Sequence, residues 1–271
     1  MTDLYDEHPE LRPVNVDAAR YPSLVGRGVL ITGGGSGIGA GLVEAFCAQG
    51  ARVGFVELST DFAQATVDAV ESATGNRPAY ATVDLRDIDA LKAAVADLRV
   101  KTGPFSVLVN NAGNDDRVPA MDVTPDYWDE RFQTNLRHHF FAAQAVQGDM
   151  IAQGGGSIIN MGSNSWMQGA PGLIAYTTAK SAVQGMTKSL AREWGVHRIR
   201  VNSIVPGWIL TERQVVRAKA IYQDKFDDYL TRQCLKEFLL PPDVARMALW
   251  LAADDSRLVT SQSFIVDGGV V

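Results

Sequence analysis

A short apolar run, Val29-Leu30-Ile31-Thr32, opens directly into Gly33-Gly34-Gly35-Ser36-Gly37-Ile38-Gly39 and then into the helical pattern Leu42-Val43-Glu44-Ala45-Phe46. Apolar strand formers, a glycine cluster and a helical period, in that order, specify a strand, a tight turn and a helix start. The alternation recurs along the chain. Strands are expected at 28–32, 52–57, 79–84, 106–110, 157–161, 200–205 and 263–266, with helical patterns filling most of the gaps. Strand and helix in strict alternation call for a parallel sheet covered on both faces, because each parallel strand is reached through a crossover. The sequence therefore predicts an α/β fold, a doubly wound seven-stranded parallel sheet that binds its ligand outside the carboxyl ends of the strands. A chain of 271 residues is long enough to bury one large core. That unit is expected to span 21–271, after a polar, proline-containing extension at 1–20.

The glycine turn also predicts chemistry. Glycines allow backbone to approach a pyrophosphate, and a helix N-terminus offers unpaired N–H groups and a positive dipole end. Gly33, Gly37 and Gly39 are not spaced as G-x-G-x-x-G, yet the strand before and the helix after supply the required context. The second strand, 52–57, ends in Glu57, eighteen residues beyond Gly39. An acid there accepts both ribose hydroxyls of NAD and repels the extra phosphate of NADP. Neither Ser36 nor Leu58 brings a positive charge that would favour NADP. NAD is the expected cofactor.

Tyr176 and Lys180 stand four residues apart in Tyr-Thr-Thr-Ala-Lys. On a helix that spacing places a phenol and an ammonium on one face. A phenol titrates near 10, too high for a base at neutral pH, and a fixed cation beside it favours the phenolate. The pair is expected to work as a general base.

These motifs together resemble the short-chain dehydrogenase/reductase family, over residues from about Tyr21 to Gly269. Thr32-Gly33-x-x-x-Gly37-x-Gly39 matches its cofactor turn, and Asp84 after Ala81-Thr82-Val83 matches its adenine-contacting acid. Asn110-Asn111-Ala112-Gly113 matches the segment that steadies the sheet, and Pro206-Gly207 followed by Thr211 matches the loop against the nicotinamide carboxamide. The resemblance implies a Rossmann-like fold and a catalytic set of Asn135, Ser163, Tyr176 and Lys180, with Ser165 a rival to Ser163. It further implies cofactor contacts from Gly33, Ser36, Gly37, Ile38, Gly39, Glu57, Asp84, Leu85, Asn111, Ala112, Gly113, Tyr176, Lys180, Pro206, Gly207, Ile209 and Thr211. Relatives usually assemble as dimers of dimers, so a homotetramer or homodimer is expected, through helices near 126–153 and 173–194 and the C-terminal strand region.

A narrower resemblance concerns the substrate. Asn110 to Arg117, Tyr127 to Arg131, Asn135 to His138, Gly162 to Trp166 and Gln233 to Lys236 look like bacterial aldose dehydrogenases of this family, the D-xylose and L-arabinose 1-dehydrogenases. Those enzymes oxidise the anomeric hydroxyl to a lactone. Asn114, Asp115, Arg117, Asn164 and Gln168, with Ser163, are candidates to bond sugar hydroxyls, and Trp166 or Trp208 to stack on a pyranose face. The segment 208–238 is expected to be a lid. Two other functions stay open: a secondary-alcohol dehydrogenase or ketone reductase acting on steroid-like or 3-oxoacyl-like substrates, and an inactive dinucleotide-sensing subunit.

Lys and Arg total 25 against 31 Asp and Glu, a formal charge of −6 without a long basic run, which argues against nucleic acid or an anionic membrane as partner. Cys47 and Cys234 have neither metal-ligand nor redox spacing, and Cys47 falls in the apolar pattern of the first helix. His8, His138, His139 and His197 form no ligand set, so no metal is expected. With neither a long apolar span nor an export-type start, the protein is expected in the cytoplasm.

Overall fold

The structure is a computed structural model and describes residues 18–221 and 225–271, with only the backbone for 217–221 and 225–227. Residues 1–17 of the expected extension, His8 among them, lie outside the described residues. Seven strands form one sheet: β1 (Gly28–Thr32), β2 (Arg52–Glu57), β3 (Ala79–Thr82), β4 (Val107–Asn110), β5 (Gly156–Met161), β6 (Ile199–Pro206) and β7 (Ser263–Val266). Their order is β3-β2-β1-β4-β5-β6-β7, and every adjacent pair is parallel. This is the doubly wound α/β architecture. After β1 the chain builds outward to β3 and then returns to lay β4 on the other side of β1. The switch point sits where Thr32 pairs with Asn110, the place where such sheets open a crevice.

Period-two alternation explains why both faces are covered. Val29 and Ile31 of β1 join Phe46, Phe55, Val107, Val109 and Ile159 in one fully buried cluster, while Leu30 joins Leu108, Ile158 and Val201 in another on the opposite side. Helices α1 (Gly37–Ala48), α2 (Thr60–Thr74) and α9 (Pro241–Ala252) supply the first cluster. Helices α3 (Ile88–Thr102), α5 (His138–Ala152) and α6 (Ile174–Trp194) supply the second. Local chemistry sets several boundaries. Ser59 and Asp87 cap α2 and α3 through their side chains, and α4 (Pro125–Phe132) begins with Thr124 as cap and proline at its first turn. Two further helices, α7 (Glu212–Ile221) and α8 (Lys225–Arg232), lie between β6 and α9. Of the segment 208–238 expected to form a lid, the side chains of Lys219, Ile221, Tyr222, Asp224, Lys225, Phe226 and Asp227 lie outside the described residues. No described helix is long and apolar enough to cross a membrane.

Candidate active site

The glycine turn is fixed by close approach. A side chain at Gly39 would place its Cβ 1.7 Å from the Gly33 carbonyl oxygen, and one at Gly33 would meet Ala112 at 3.0 Å with φ at +68°. Gly37, at φ +54°, faces the Thr211 methyl. Ser36 precedes the first turn of α1 without a side-chain capping bond, and that turn's N–H groups are the ones a helix leaves unpaired. Ile38 packs on the core beneath. This backbone fits a pyrophosphate, because side chains are excluded at Gly33 and Gly39. Thr32 locks the turn to the neighbouring strand: its hydroxyl accepts from the N–H groups of Asn111 and Ala112, at 3.0 and 3.1 Å. The Asn111 amide donates to the carbonyls of Thr32 and Gly33. The sequence pattern includes Thr32 in the turn motif, but its hydroxyl's link to Asn111 and Ala112 is visible only across the sheet.

Glu57, at the end of β2, bends back to the turn. One carboxylate oxygen accepts from Gly35 N at 2.9 Å and the other from Leu58 N at 2.8 Å. Asp84 lies beyond β3, and Arg86 grips its carboxylate through Nε at 2.9 and 3.0 Å and Nη2 at 2.6 Å, which holds it below the usual carboxylate range. Leu85 is half-buried against the core.

The catalytic candidates converge over the carboxyl ends of β4 and β5. Asn135 occupies a π-helical turn, Gln133–Arg137, between α4 and α5 and is fully buried. Its side-chain amide accepts from Asn114 N at 2.8 Å and donates to Asn114 O at 3.1 Å and Arg131 O at 2.9 Å. A Cβ on Gly113 would lie 2.9 Å from Asn135 Oδ1 and 3.3 Å from Lys180 Nζ, so glycine is needed there. Tyr176 and Lys180 share one face of α6, with Lys180 Nζ 5.8 Å from the phenol ring centroid. Lys180 is 2% exposed, donates to Met161 O at 2.9 Å, and is pulled down to about 8 by burial.

Tyr176 is pushed up to about 12 by burial and by the Asp115 carboxylate, while the Ser163 hydroxyl favours its ionised form. The expected depression by Lys180 is therefore not the dominant influence on the phenol: desolvation outweighs it. Ser163 and Ser165 bond to each other at 2.8 Å, and Ser163 is the one that acts on Tyr176.

The substrate candidates divide. Asn114 and Asp115 lie at the cleft, and Asp115 accepts from Gln214 Nε2 at 3.0 Å. Arg117 turns outward and donates to Pro171 O at 3.1 Å. Asn164 is buried and donates to Asp267 across β7, at 3.1 Å. Gln168 accepts from Arg232. Trp166 lies with Met167, Gln184 and Lys188 in a groove along α6 and β7. Trp208 packs edge-on against Tyr229, whose hydroxyl accepts from Trp208 N at 2.7 Å. Pro206 ends β6, Gly207 N donates to Val266 O, Ile209 bridges to Leu239, and the Thr211 hydroxyl caps α7 by accepting from Gln214 N. Gln214 escaped the sequence reading, and Arg213 and Tyr229 entered it only as members of the expected lid segment, because polar residues on an amphipathic helix carry no distinguishing signal.

His138 and His139 are neighbours at the start of α5, and their rings meet edge to face at 4.5 Å. Both are fully buried, and burial pushes His138 down to about 3 and His139 well below its ordinary value. Cys47 is buried, its thiol pushed up to about 12. Among the described residues no cluster of three or more His, Cys, Asp or Glu is disposed to hold a metal.

Residues 33–271 match the family described as Enoyl-(Acyl carrier protein) reductase. The chain is 46% identical over 257 residues to "Probable galactose dehydrogenase GalD" of Rhizobium meliloti, covering 95% of this chain and 100% of that one. It is 44% identical over 254 residues to the D-xylose 1-dehydrogenase of Caulobacter vibrioides, covering 94% and 99%. A solved short-chain type dehydrogenase/reductase from Mycobacterium ulcerans superposes with a TM-score of 0.85 at 31% identity, over 92% of this chain and 90% of that one. Dehydrogenases of this family use nicotinamide cofactors, which the side-chain-free glycine turn fits. The chain belongs to the short-chain dehydrogenase/reductase family, and it is an oxidoreductase that acts on CH–OH groups.

Proposed function

We propose that the protein oxidises the anomeric hydroxyl of an aldose, a pentose or related sugar, to the lactone, with NAD as acceptor. What carries this reading is the cleft at the Tyr176 phenol, which the Ser163 hydroxyl bonds and the charge of the Asp115 carboxylate reaches, with that carboxylate held by Gln214 at 3.0 Å. A base, a hydroxyl and an acceptor-only carboxylate in one cleft suit a substrate that presents several hydroxyls. The names of the two relatives at 46% and 44% identity agree with it. Bound NAD⁺ would accept the hydride from the carbon that carries the reacting hydroxyl.

The residues divide the remaining work. Tyr176 Oη removes the hydroxyl proton as that carbon becomes a carbonyl, so one proton and one hydride leave together. Ser163 holds the reacting oxygen, and Lys180 sits behind the phenol to return its proton toward Asn135 and solvent. The turn at Gly33, Gly37 and Gly39 and the N-terminus of α1 would hold the pyrophosphate. Glu57 would accept the adenosine ribose hydroxyls, and this selects NAD over NADP. The segment 208–238 would close over the pocket, and the working assembly would be a cytoplasmic homotetramer or homodimer.

A panel of free pentoses and hexoses, each offered with NAD⁺ and with NADP⁺ while reduced-cofactor absorbance is followed, tests the proposal. Turnover of at least one aldose, faster with NAD⁺ and lost in Tyr176→Phe while NADH still binds, is expected. Silence across the panel would sink the aldose reading, and full activity of Tyr176→Phe would sink the base.

A further inference from the structure

Two adjacent side chains on the first turn of α7 reach across the cleft to the turn that follows β4. Arg213 Nη2 donates to Asp116 Oδ1 at 2.9 Å and to Asn114 Oδ1 at 3.2 Å. Gln214 Nε2 donates to Asp115 Oδ2 at 3.0 Å, and Gln214 Oε1 accepts from Trp208 Nε1 at 3.2 Å. Those neighbours fix the orientation of the Gln214 amide. An indole N–H only donates and a carboxylate only accepts, so the oxygen must face Trp208 and the nitrogen Asp115.

The turn they grip is the one seated on the catalytic amide. Asn135 clamps both the N–H and the C=O of Asn114, and Asp116 N donates back to Asn114 Oδ1 at 3.0 Å. Asp115, between them, is the carboxylate that acts on Tyr176. A negative charge beside a base that must ionise is unfavourable for proton removal.

We propose that Arg213 and Gln214 are positioning residues that couple α7 to the reacting centre: Gln214 aims the Asp115 carboxylate at a hydroxyl neighbouring the reacting carbon, and Arg213 keeps the 114–116 turn seated on Asn135. The substrate-facing half of this rests on the aldose reading. The coupling of α7 to Asn135 does not.

Two measurements separate these halves. Backbone hydrogen exchange needs no substrate: Arg213→Ala and Gln214→Glu each speed exchange at Asn114 and Asp116 by about threefold to tenfold, as expected for losing a charge-assisted bond at a half-exposed site. Steady-state kinetics with the best aldose supplies the second. Gln214→Glu keeps the acceptor for Trp208 but sets a carboxylate against Asp115, so KM rises and kcat/KM falls at least about tenfold, with NADH affinity unchanged. In an Asp115→Asn background the same change costs under about threefold, since the repulsion is gone. Unchanged exchange in both variants overturns the coupling, and an equal Gln214→Glu penalty in the two backgrounds overturns the aim at Asp115. If the wild type oxidises no aldose, the function fails while the exchange result still decides the coupling.

Discussion

Lys180 makes the structure answerable to a stability measurement. It is 2% exposed, and its ammonium donates to the Met161 carbonyl. Burial lowers its titration from 10.5 to about 8. At neutral pH the folded protein therefore holds a buried ammonium, and about 2.5 units at about 1.4 kcal/mol each make this cost roughly 3 kcal/mol relative to the solvated lysine of the unfolded chain. Lys180→Met removes that cost and forfeits the bond to Met161 O, about 1 kcal/mol or somewhat more. The variant should be more stable than wild type by roughly 1 to 2 kcal/mol at pH 7, while losing turnover. The pH dependence is the sharper test. Between about 8 and 10.5 the unfolded chain keeps the Lys180 proton and the folded protein has released it, so wild-type stability rises with pH across this window. The Lys180→Met protein lacks this contribution. Urea unfolding at equal protein concentration, from pH 7 to about pH 10, should show wild type gaining roughly 3 kcal/mol on the variant. Parallel curves would refute the buried-charge account, as would a variant less stable than wild type at pH 7.

Other outcomes follow from the same coordinates. Gly39→Ala forces a Cβ to within 1.7 Å of the Gly33 carbonyl, and it should destabilise by about 1 to 3 kcal/mol and weaken NADH binding; Gly185→Ala, in open space on α6, should stabilise by about 0.5 to 1 kcal/mol in the same thermal scan. Glu57→Ser removes the carboxylate that accepts from Gly35 N, and the ratio of kcat/KM for NADP⁺ over NAD⁺ should climb at least about tenfold. Asp115→Asn removes a charge that raises Tyr176, so the alkaline rise of kcat/KM should move to lower pH; an unmoved profile would separate Asp115 from the base.

Much of the fold is legible in the residues because the signals are local. The runs at 28–32, 52–57 and 263–266 were expected as strands and form β1, β2 and β7 with those bounds. The third strand stops at Thr82, two residues short of the expected Asp84, where the chain turns to set Asp84 against Arg86. The site is legible where one element carries the pattern, as for the glycine turn or for Tyr176 and Lys180 on α6. It is illegible where partners come from distant segments. Asn164 reads as a candidate for a sugar hydroxyl, and only the fold brings Asp267, 103 positions away, to its amide. Trp166 reads as a stacking platform, yet it faces α6 and β7. The ionisation of Tyr176 follows the same rule: helical spacing places the lysine, but the burial and the Asp115 charge that outweigh it belong to the assembled pocket.

The wide turn at Gln133–Arg137 has an implication for how this chain can change. α4 and α5 would otherwise run as a single rod, and Asn135 faces the cleft because the turn contains a surplus residue whose side chain takes over the Arg131 carbonyl. Each residue advances an α-helix by about 100°. Excision of any one position from 133 to 137 would let the rod close up and swing the amide out of phase with Asn114, even though the shortened helix would still be continuous and amphipathic. Asn135 apart, drift in sequence is tolerable there, but drift in length is not.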